Sequence, residues 1–277
     1  MKVHNLRGTF TLHNGIEMPA LGLGVFKAED GEEVIQSVKW ALEHGYRSID
    51  TASIYQNEEG VGEGMRQSGV KREEIFLTSK VWNADQGYNS TLTAFDESLE
   101  RLGTDYLDLY LVHWPVKGKF TETWRAMESL YKDGRIRAIG VSNFLRHQLE
   151  EVMDNAQVIP MVNQIEFHPY LQSPRLVEFC EHHRIQLEAW APLMQGAAFE
   201  VKELVALADK YKKTVPQIVL RWNLQRGIVT IPKSVKEERI ISNAAIFDFE
   251  LTEADMEQIN LLDRGRRIGP DPDNFDF

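Results

Sequence analysis

Asp50 and Tyr55 are the first residues from which a chemistry can be read. They stand five positions apart in His44-Gly45-Tyr46-Arg47-Ser48-Ile49-Asp50-Thr51-Ala52-Ser53-Ile54-Tyr55-Gln56-Asn57-Glu58. Tyr46 to Ile49 has the pattern of a short buried strand that closes in a carboxylate at Asp50. Asn57 stands where it can cap a helix running through Val61 towards Met65. Between strand and helix, Tyr55 lies on a loop where its phenol can face a cleft. A strand-end carboxylate and a loop tyrosine suggest a proton donor with an electrostatic support. Each is commonplace alone: a tyrosine beside a strand usually packs, and a buried carboxylate often serves a structural ion pair. The other elements decide between these readings, by the polar groups they bring to the same place.

Those elements alternate. Thr9 to Leu12, then His13-Asn14-Gly15, then Ile16 predicts a hairpin turning at Asn-Gly. Ala20 to Gly24 is the first strand of a longer series, which continues at Ile75–Lys80, Tyr106–His113, Ile136–Ser142, Met161–Glu166, Gln186–Trp190 and Ile228–Ile231. Helical spacing of apolar residues falls between them, at Val34, Val38, Ala41 and Leu42, and at Leu92, Phe95, Leu99 and Leu102 after a cap at Asn89. Further helices are expected at Trp124–Tyr131, through Leu149 and Val152, at Arg175–His182, at Val201–Tyr211 and at Gln217–Gln225. A last one starts at Thr252, whose hydroxyl and Asp255 resemble a capping box. Eight strand–helix pairs without a linker predict one α/β domain over residues 1–277, a (β/α)8 TIM barrel with an N-terminal β-hairpin.

Bulk properties narrow the partners. A net charge of −11 argues against nucleic acid and anionic membranes, so any bound anion needs a local basic cluster. Cys180 is the only cysteine, which rules out an intramolecular disulfide and suits a reducing cytoplasm. No signal peptide and no membrane span is expected. Cys180, His182 and His183 suggest a metal at first sight, but only Cys180 and His183 share a helical face and no third ligand is evident, so no metal is expected. The acidic run Glu29 to Glu33 suits a solvated helix N-terminus.

On a barrel the polar residues fall into order. Asp50, Lys80, His113, Ser142-Asn143, Gln164, Trp190 and Lys233 all stand at or just past the predicted C-terminal ends of strands. Those ends form the rim on which barrel enzymes build their sites. Core packing alone does not explain so many polar groups on one edge.

The motifs Gly45-Tyr46-Arg47-Ser48-Ile49-Asp50-Thr51-Ala52, Leu111-Val112-His113-Trp114, Ile139-Gly140-Val141-Ser142-Asn143 and Ile231-Pro232-Lys233-Ser234-Val235 together resemble the aldo-keto reductase superfamily over essentially the whole chain. The resemblance implies NADPH-dependent reduction of aldehydes and ketones, with Asp50, Tyr55, Lys80 and His113 as the catalytic tetrad. Chemistry agrees: a carbonyl needs hydride at carbon and a proton at oxygen, and a Lys80 ammonium would make the phenol of Tyr55 a better acid. Asp50 would keep Lys80 charged, and His113 could orient the substrate carbonyl.

By the same resemblance Ser142, Asn143 and Gln164 bind the nicotinamide amide, with Gly24, Val25, Asp50 and Leu193 also facing the cofactor. Trp190 replaces the stacking tyrosine of many relatives. Lys233, Ser234, Val235, Arg239 and Asn243 match the contacts to the 2′-phosphate and adenine. Gly60, Gly62 and Gly64 lack the Gly-x-Gly-x-x-Gly spacing, so a Rossmann site is not supported.

Phe26, Trp82 and Trp114, with Tyr55 and His113, match the family's substrate-pocket positions. The segments Trp114–Thr123 and Leu193–Glu200 are short, which predicts an open site for small carbonyl compounds. The tail Arg267 to Asp273 resembles bacterial members that reduce glyoxal-type dicarbonyls or diketogluconate. A cytoplasmic monomer is the expected form. The competing readings are a barrel enzyme of another reaction type and a reductase-like barrel that serves as a nucleotide sensor or structural protein.

Overall fold

Eight parallel strands form one sheet in sequential order, each hydrogen-bonded to the next. The computed structural model describes residues 3–277. The chain opens with an antiparallel hairpin, β1 (Thr9–Thr11) and β2 (Glu17–Pro19). The barrel strands come next: β3 (Leu23–Gly24), β4 (Ser48–Asp50), β5 (Phe76–Val81), β6 (Leu107–Val112), β7 (Ile136–Ser142), β8 (Val162–Glu166), β9 (Gln186–Trp190) and β10 (Val229–Thr230). Every residue of β4, β5, β6 and β8 is buried, as expected of parallel strands covered on both faces.

The ends of the sheet meet. Leu21 bridges Thr230 and Gly24 bridges Lys233, both parallel, and the Gly22 amide donates to the Thr230 carbonyl at 3.0 Å. Gly24 is required at that seam, because a Cβ there would stand 2.9 Å from the Ile231 carbonyl oxygen. The hairpin lies at the opposite end from the site: the Asn14 amide donates to the carbonyl of Arg137, near the start of β7, at 3.0 Å.

Helices cover the outside. They are α1 (Glu32–Glu43), α2 (Glu58–Ser68), α3 (Tyr88–Leu102), α4 (Phe120–Lys132), α5 (Arg146–Asn155), α6 (Pro174–His182), α7 (Lys202–Tyr211), α8 (Val215–Gln225), α9 (Glu237–Ala244) and α10 (Glu253–Asn260). The apolar spacing read from the sequence is the buried face in α1 (Val34, Val38, Ala41, Leu42) and in α3 (Phe95, Leu99, Leu102). Among the described residues no helix is long and apolar enough to cross a membrane.

Two caps differ from expectation. Asn57 precedes α2, but its side chain makes no cap bond. Its oxygen accepts from Thr51 Oγ1 at 2.8 Å, and its nitrogen donates to the carbonyls of Val25 (3.0 Å) and Ala28 (3.1 Å). A longer-range task has displaced the local one. Asn89 lies inside the first turn of α3, which Gly87 precedes. Thr252 does cap α10, its oxygen accepting from the Asp255 amide at 3.2 Å. Thr252→Ala is therefore expected to lower stability by about 1 kcal/mol. The check is a lower urea midpoint with an unchanged slope; an unchanged midpoint would mean the cap contributes nothing.

Candidate active site

The ammonium of Lys80 is the buried centre of the site, with no exposed surface. It donates to Asp50 Oδ1 at 2.7 Å and to the Thr51 carbonyl at 2.8 Å, and lies 3.5 Å from the Tyr55 hydroxyl. Burial by itself would lower the Lys80 pKa, but Asp50 and Tyr55 outweigh it and hold the group above its ordinary value. Asp50, the last residue of β4, is engaged at both oxygens: the other accepts from Gln164 Nε2 at 2.8 Å.

Tyr55 sits on a 3-10 turn, Ser53–Tyr55, between β4 and α2. The Asn57 contacts fix this turn against the loop after β3 that carries Phe26, whose ring lies 5.0 Å from that of Tyr55. Burial raises the Tyr55 pKa above its ordinary value, with Asp50 adding to the rise, while Lys80 pulls it down. The expected direction of the Lys80 effect is present, but burial wins. At 3.5 Å the contact is long for a hydrogen bond.

His113 follows β6 and faces Tyr55 edge-on, with ring centroids 5.7 Å apart. Burial first, and Lys80 second, push its pKa well below the ordinary imidazole value, so the ring is neutral at pH 7. Its Nδ1 is enclosed without a partner. Asp50, Tyr55, Lys80 and His113 are thus brought together.

The groups expected to hold the nicotinamide are also gathered. Ser142 ends β7 and donates to the Gln164 carbonyl at 3.0 Å. Asn143 takes a left-handed conformation (φ 66), which asparagine tolerates better than most residues. Its amide nitrogen donates to the His113 carbonyl (3.0 Å) and Ser142 Oγ (3.1 Å). Its oxygen accepts from the Trp190 indole N–H at 2.8 Å. Tryptophan in place of tyrosine therefore has a tie that a phenol ring could not make in this way.

Gln164 lies in the middle of β8 rather than at its end, and donates from one nitrogen to both Asp50 Oδ2 and Glu188 Oε2, each at 2.8 Å. With both N–H groups taken, Gln164 offers a ligand only its carbonyl oxygen.

The remaining expected cofactor residues occupy the β3–β10 seam, the loop after β9 and the chain from β10 into α9. Gly24 and Val25 donate their amides to Pro232 (3.3 Å) and Asp50 (3.1 Å), and Leu193 is half-buried ahead of a 3-10 stretch. Lys233 and Arg239 are exposed, Ser234 and Asn243 buried and Val235 half-buried. Arg239 falls in the first turn of α9, where neighbouring Glu237 is engaged by His44 at 2.9 Å.

Of the substrate positions, Trp82 packs edge-on against His113 with centroids 5.2 Å apart, while Trp114 is buried. The tail forms a wall the sequence did not announce. Phe277 stacks on Trp82 at 5.8 Å and meets Trp114 edge-on at 5.2 Å, and Phe275 also packs on Trp114 at 5.2 Å. The tail is pinned by buried Glu166, which accepts from the Ile268 amide at 2.6 Å and from His168 at 2.9 Å. Gly269 touches Trp190, and a Cβ there would stand 2.4 Å from the indole ring.

Glu188 was also missed. It is fully buried on β9 beside Gln164. The signal was present: alternation along Gln186-Leu187-Glu188-Ala189-Trp190 puts Glu188 on the same face as Trp190. Away from the rim, Cys180 is buried and its thiol is pushed up to about 12 by burial. The rings of His182 and His183 lie against each other at 4.9 Å. Among the described residues no three His, Cys, Asp or Glu side chains are grouped to hold a metal.

A parallel barrel with lysine, tyrosine, carboxylate and histidine converging at one end is the frame of a carbonyl oxidoreductase. Residues 20–264 match the aldo/keto reductase family, and the chain belongs to it. It is 60% identical over 273 residues to glyoxal reductase of Bacillus subtilis (strain 168), covering 99% of each chain. It is 50% identical over 268 residues to methylglyoxal reductase DkgA of Salmonella typhimurium, covering 95% of this chain and 96% of that one. Among solved structures it resembles a mutant of Gox0644 in complex with NADPH, with a TM-score of 0.93, 45% identity and coverage of 97% and 98%.

Proposed function

We propose that this chain reduces small aldehydes, ketones and α-dicarbonyls with NADPH, with Tyr55 as the proton donor. The observation that carries this reading is the Tyr55 hydroxyl 3.5 Å from the buried Lys80 ammonium, itself paired to Asp50 at 2.7 Å. Bound NADPH would supply the hydride. Ser142 Oγ, Asn143 Oδ1 and Gln164 Oε1 are acceptors, which suits the N–H groups of a carboxamide, and the Trp190 ring offers an apolar face beside them. A neutral His113 with its proton on Nε2 donates one hydrogen bond to a carbonyl oxygen and orients it. Tyr55 then gives its proton to the oxygen that gains charge. An alkoxide is a far stronger base than a phenolate, so this transfer runs downhill even from a phenol whose pKa burial has raised.

Aromatic walls from Phe26, Trp82 and Trp114, with one polar end, suit compact dicarbonyls. The relatives from Bacillus subtilis and Salmonella typhimurium support glyoxal and methylglyoxal, respectively, as first candidates. A cytoplasmic monomer is the setting we assign to this activity.

The test is a fluorescence titration with NADPH, followed by its oxidation on adding methylglyoxal. Tight binding with no oxidation by any aldehyde or dicarbonyl would replace this reading with that of a nucleotide sensor. A second expectation is directional. Reduction uses Tyr55 protonated and alcohol oxidation uses it ionised, and its pKa lies above the ordinary value of about 10. Oxidation should therefore climb as pH rises through the alkaline range while reduction holds and then falls. Parallel profiles, with hydride transfer limiting both directions, would contradict Tyr55 as the acid.

A further inference from the structure

We propose that Glu188 is a positioning residue that stays uncharged at neutral pH and, on ionising in alkaline solution, places a second negative charge under the Asp50–Lys80–Tyr55 cluster and holds Tyr55 protonated. The inference rests on the reading of Tyr55 as the acid.

The geometry comes from three contacts. Asp50 Oδ2 and Glu188 Oε2 share one nitrogen, Gln164 Nε2, at 2.8 Å each. Among the described residues the ammonium that acts on this pair is Lys80, which bonds to Asp50 at 2.7 Å and makes no hydrogen bond to Glu188. Glu188 Oε1 is buried with no partner. Two ionised carboxyls on one amide would therefore leave one charge without a cation. Buried charges of that kind are avoided by keeping the proton.

The surroundings agree from every side. Asp50 on β4 repels a charge on Glu188, and Lys80 on β5 and Gln164 on β8 favour one. Tyr55, on the turn after β4, feels Glu188 as a force raising its own pKa. Opposite Glu188 on β10 stands Val229, which does not titrate. Glu166, two residues past Gln164 on β8, is committed to His168 and the Ile268 amide, with Arg267 4.0 Å away. His113 is neutral. Burial and Asp50 together raise the Glu188 pKa to about 8.

Below that value the cluster carries one carboxylate and one ammonium; above it the Glu188 proton leaves to solvent and a second carboxylate appears. The new charge opposes the tyrosinate that alcohol oxidation requires. It therefore moves the alkaline limbs of both directions to higher pH. Glu188→Gln keeps the shape but cannot ionise.

The experiment compares wild type and E188Q, with the product alcohol for oxidation and methylglyoxal for reduction, from about pH 6 to well beyond about pH 10, so that the fall in reduction is reached. In E188Q both alkaline limbs should move to lower pH by on the order of one unit, about tenfold in rate at a fixed pH on the limb. A merely structural role would scale the rates without moving the limbs, and limbs at unchanged pH would overturn the proposal. A second readout needs no turnover. The infrared carbonyl stretch of a protonated carboxylic acid should be present in the ligand-free wild type at pH 7, fade as pH rises through about 8 and be missing from E188Q. If E188Q does not fold, the wild-type band with labelled glutamate still decides, and its absence at pH 7 overturns the proposal. Tyr55→Phe separates the two ideas. Turnover in that variant sinks the acid assignment, whereas an inactive variant with no Glu188 band sinks only this inference.

Discussion

Tyr55→Phe should bind NADPH much as the wild type does and reduce methylglyoxal about 10²- to 10⁴-fold more slowly, the usual contribution of a positioned general acid. The substitution is clean because so little else depends on the hydroxyl. The ring keeps its packing on Phe26, at 5.0 Å, and its edge-on contact with His113, at 5.7 Å. Lys80 keeps Asp50 and the Thr51 carbonyl as partners, so no buried charge is orphaned. The fall should appear in the single-turnover rate of NADPH oxidation, with the fluorescence titration little changed. Turnover near the wild-type value would mean that the proton comes from elsewhere, and water held by His113 would be the next candidate.

Arg239→Ala should weaken NADPH binding about ten- to a hundredfold and leave NADH binding almost unchanged. Arg239 stands in the first turn of α9, where the helix dipole favours anions and penalises a cation. An exposed arginine there suits an anion that arrives with a ligand. The acidic neighbour Glu237 is occupied by His44 at 2.9 Å, and Lys233 is exposed just after β10. Phosphate sites after the last strands recur in this architecture. The 2′-phosphate separates the two cofactors, and a hydrogen bond to a charged group contributes about 1.5–3 kcal/mol, which sets the expected range. Added salt should narrow the difference. Equal losses for NADPH and NADH would show that Arg239 supports the adenine or the helix instead.

What could be read in advance tracked the physics of each signal. Asp50, Ser142 and Trp190 were legible because charged, polar or aromatic residues at the ends of apolar runs stand out, and each does end a strand. Lys80 lies one residue inside β5 and His113 just past β6, within the normal slack of a boundary read from pattern. Asn57 and Asn89 misled for different reasons: α3 already starts at Tyr88, after Gly87, so Asn89 falls inside it, whereas at Asn57 tertiary contacts override the local rule. Asn57 spends its side chain on Thr51, Val25 and Ala28, three partners that sequence proximity does not point to. Glu188 went unnoticed although alternation along β9 turned it inward, because the eye follows the charged residue at a strand's end rather than one in its middle. Phe275 and Phe277 follow no period at all, and their place on Trp114 and Trp82 depends on where Glu166 anchors the chain.

That anchorage couples two properties usually treated as separate. From Gly269, in contact with the Trp190 ring, the chain runs without a helix or long strand to Phe277, stacked on Trp82. One end braces the aromatic face proposed for the nicotinamide; the other supplies a wall of the pocket proposed for the carbonyl. A change that swings Phe277 aside to admit a bulkier substrate pulls on the segment that holds Trp190 in place. A bulkier residue at position 269, conversely, displaces the indole and is transmitted towards the pocket wall. With the cofactor and carbonyl placed as proposed, substrate breadth and cofactor grip are expected to vary together, and an engineer who widens one should expect to retune the other.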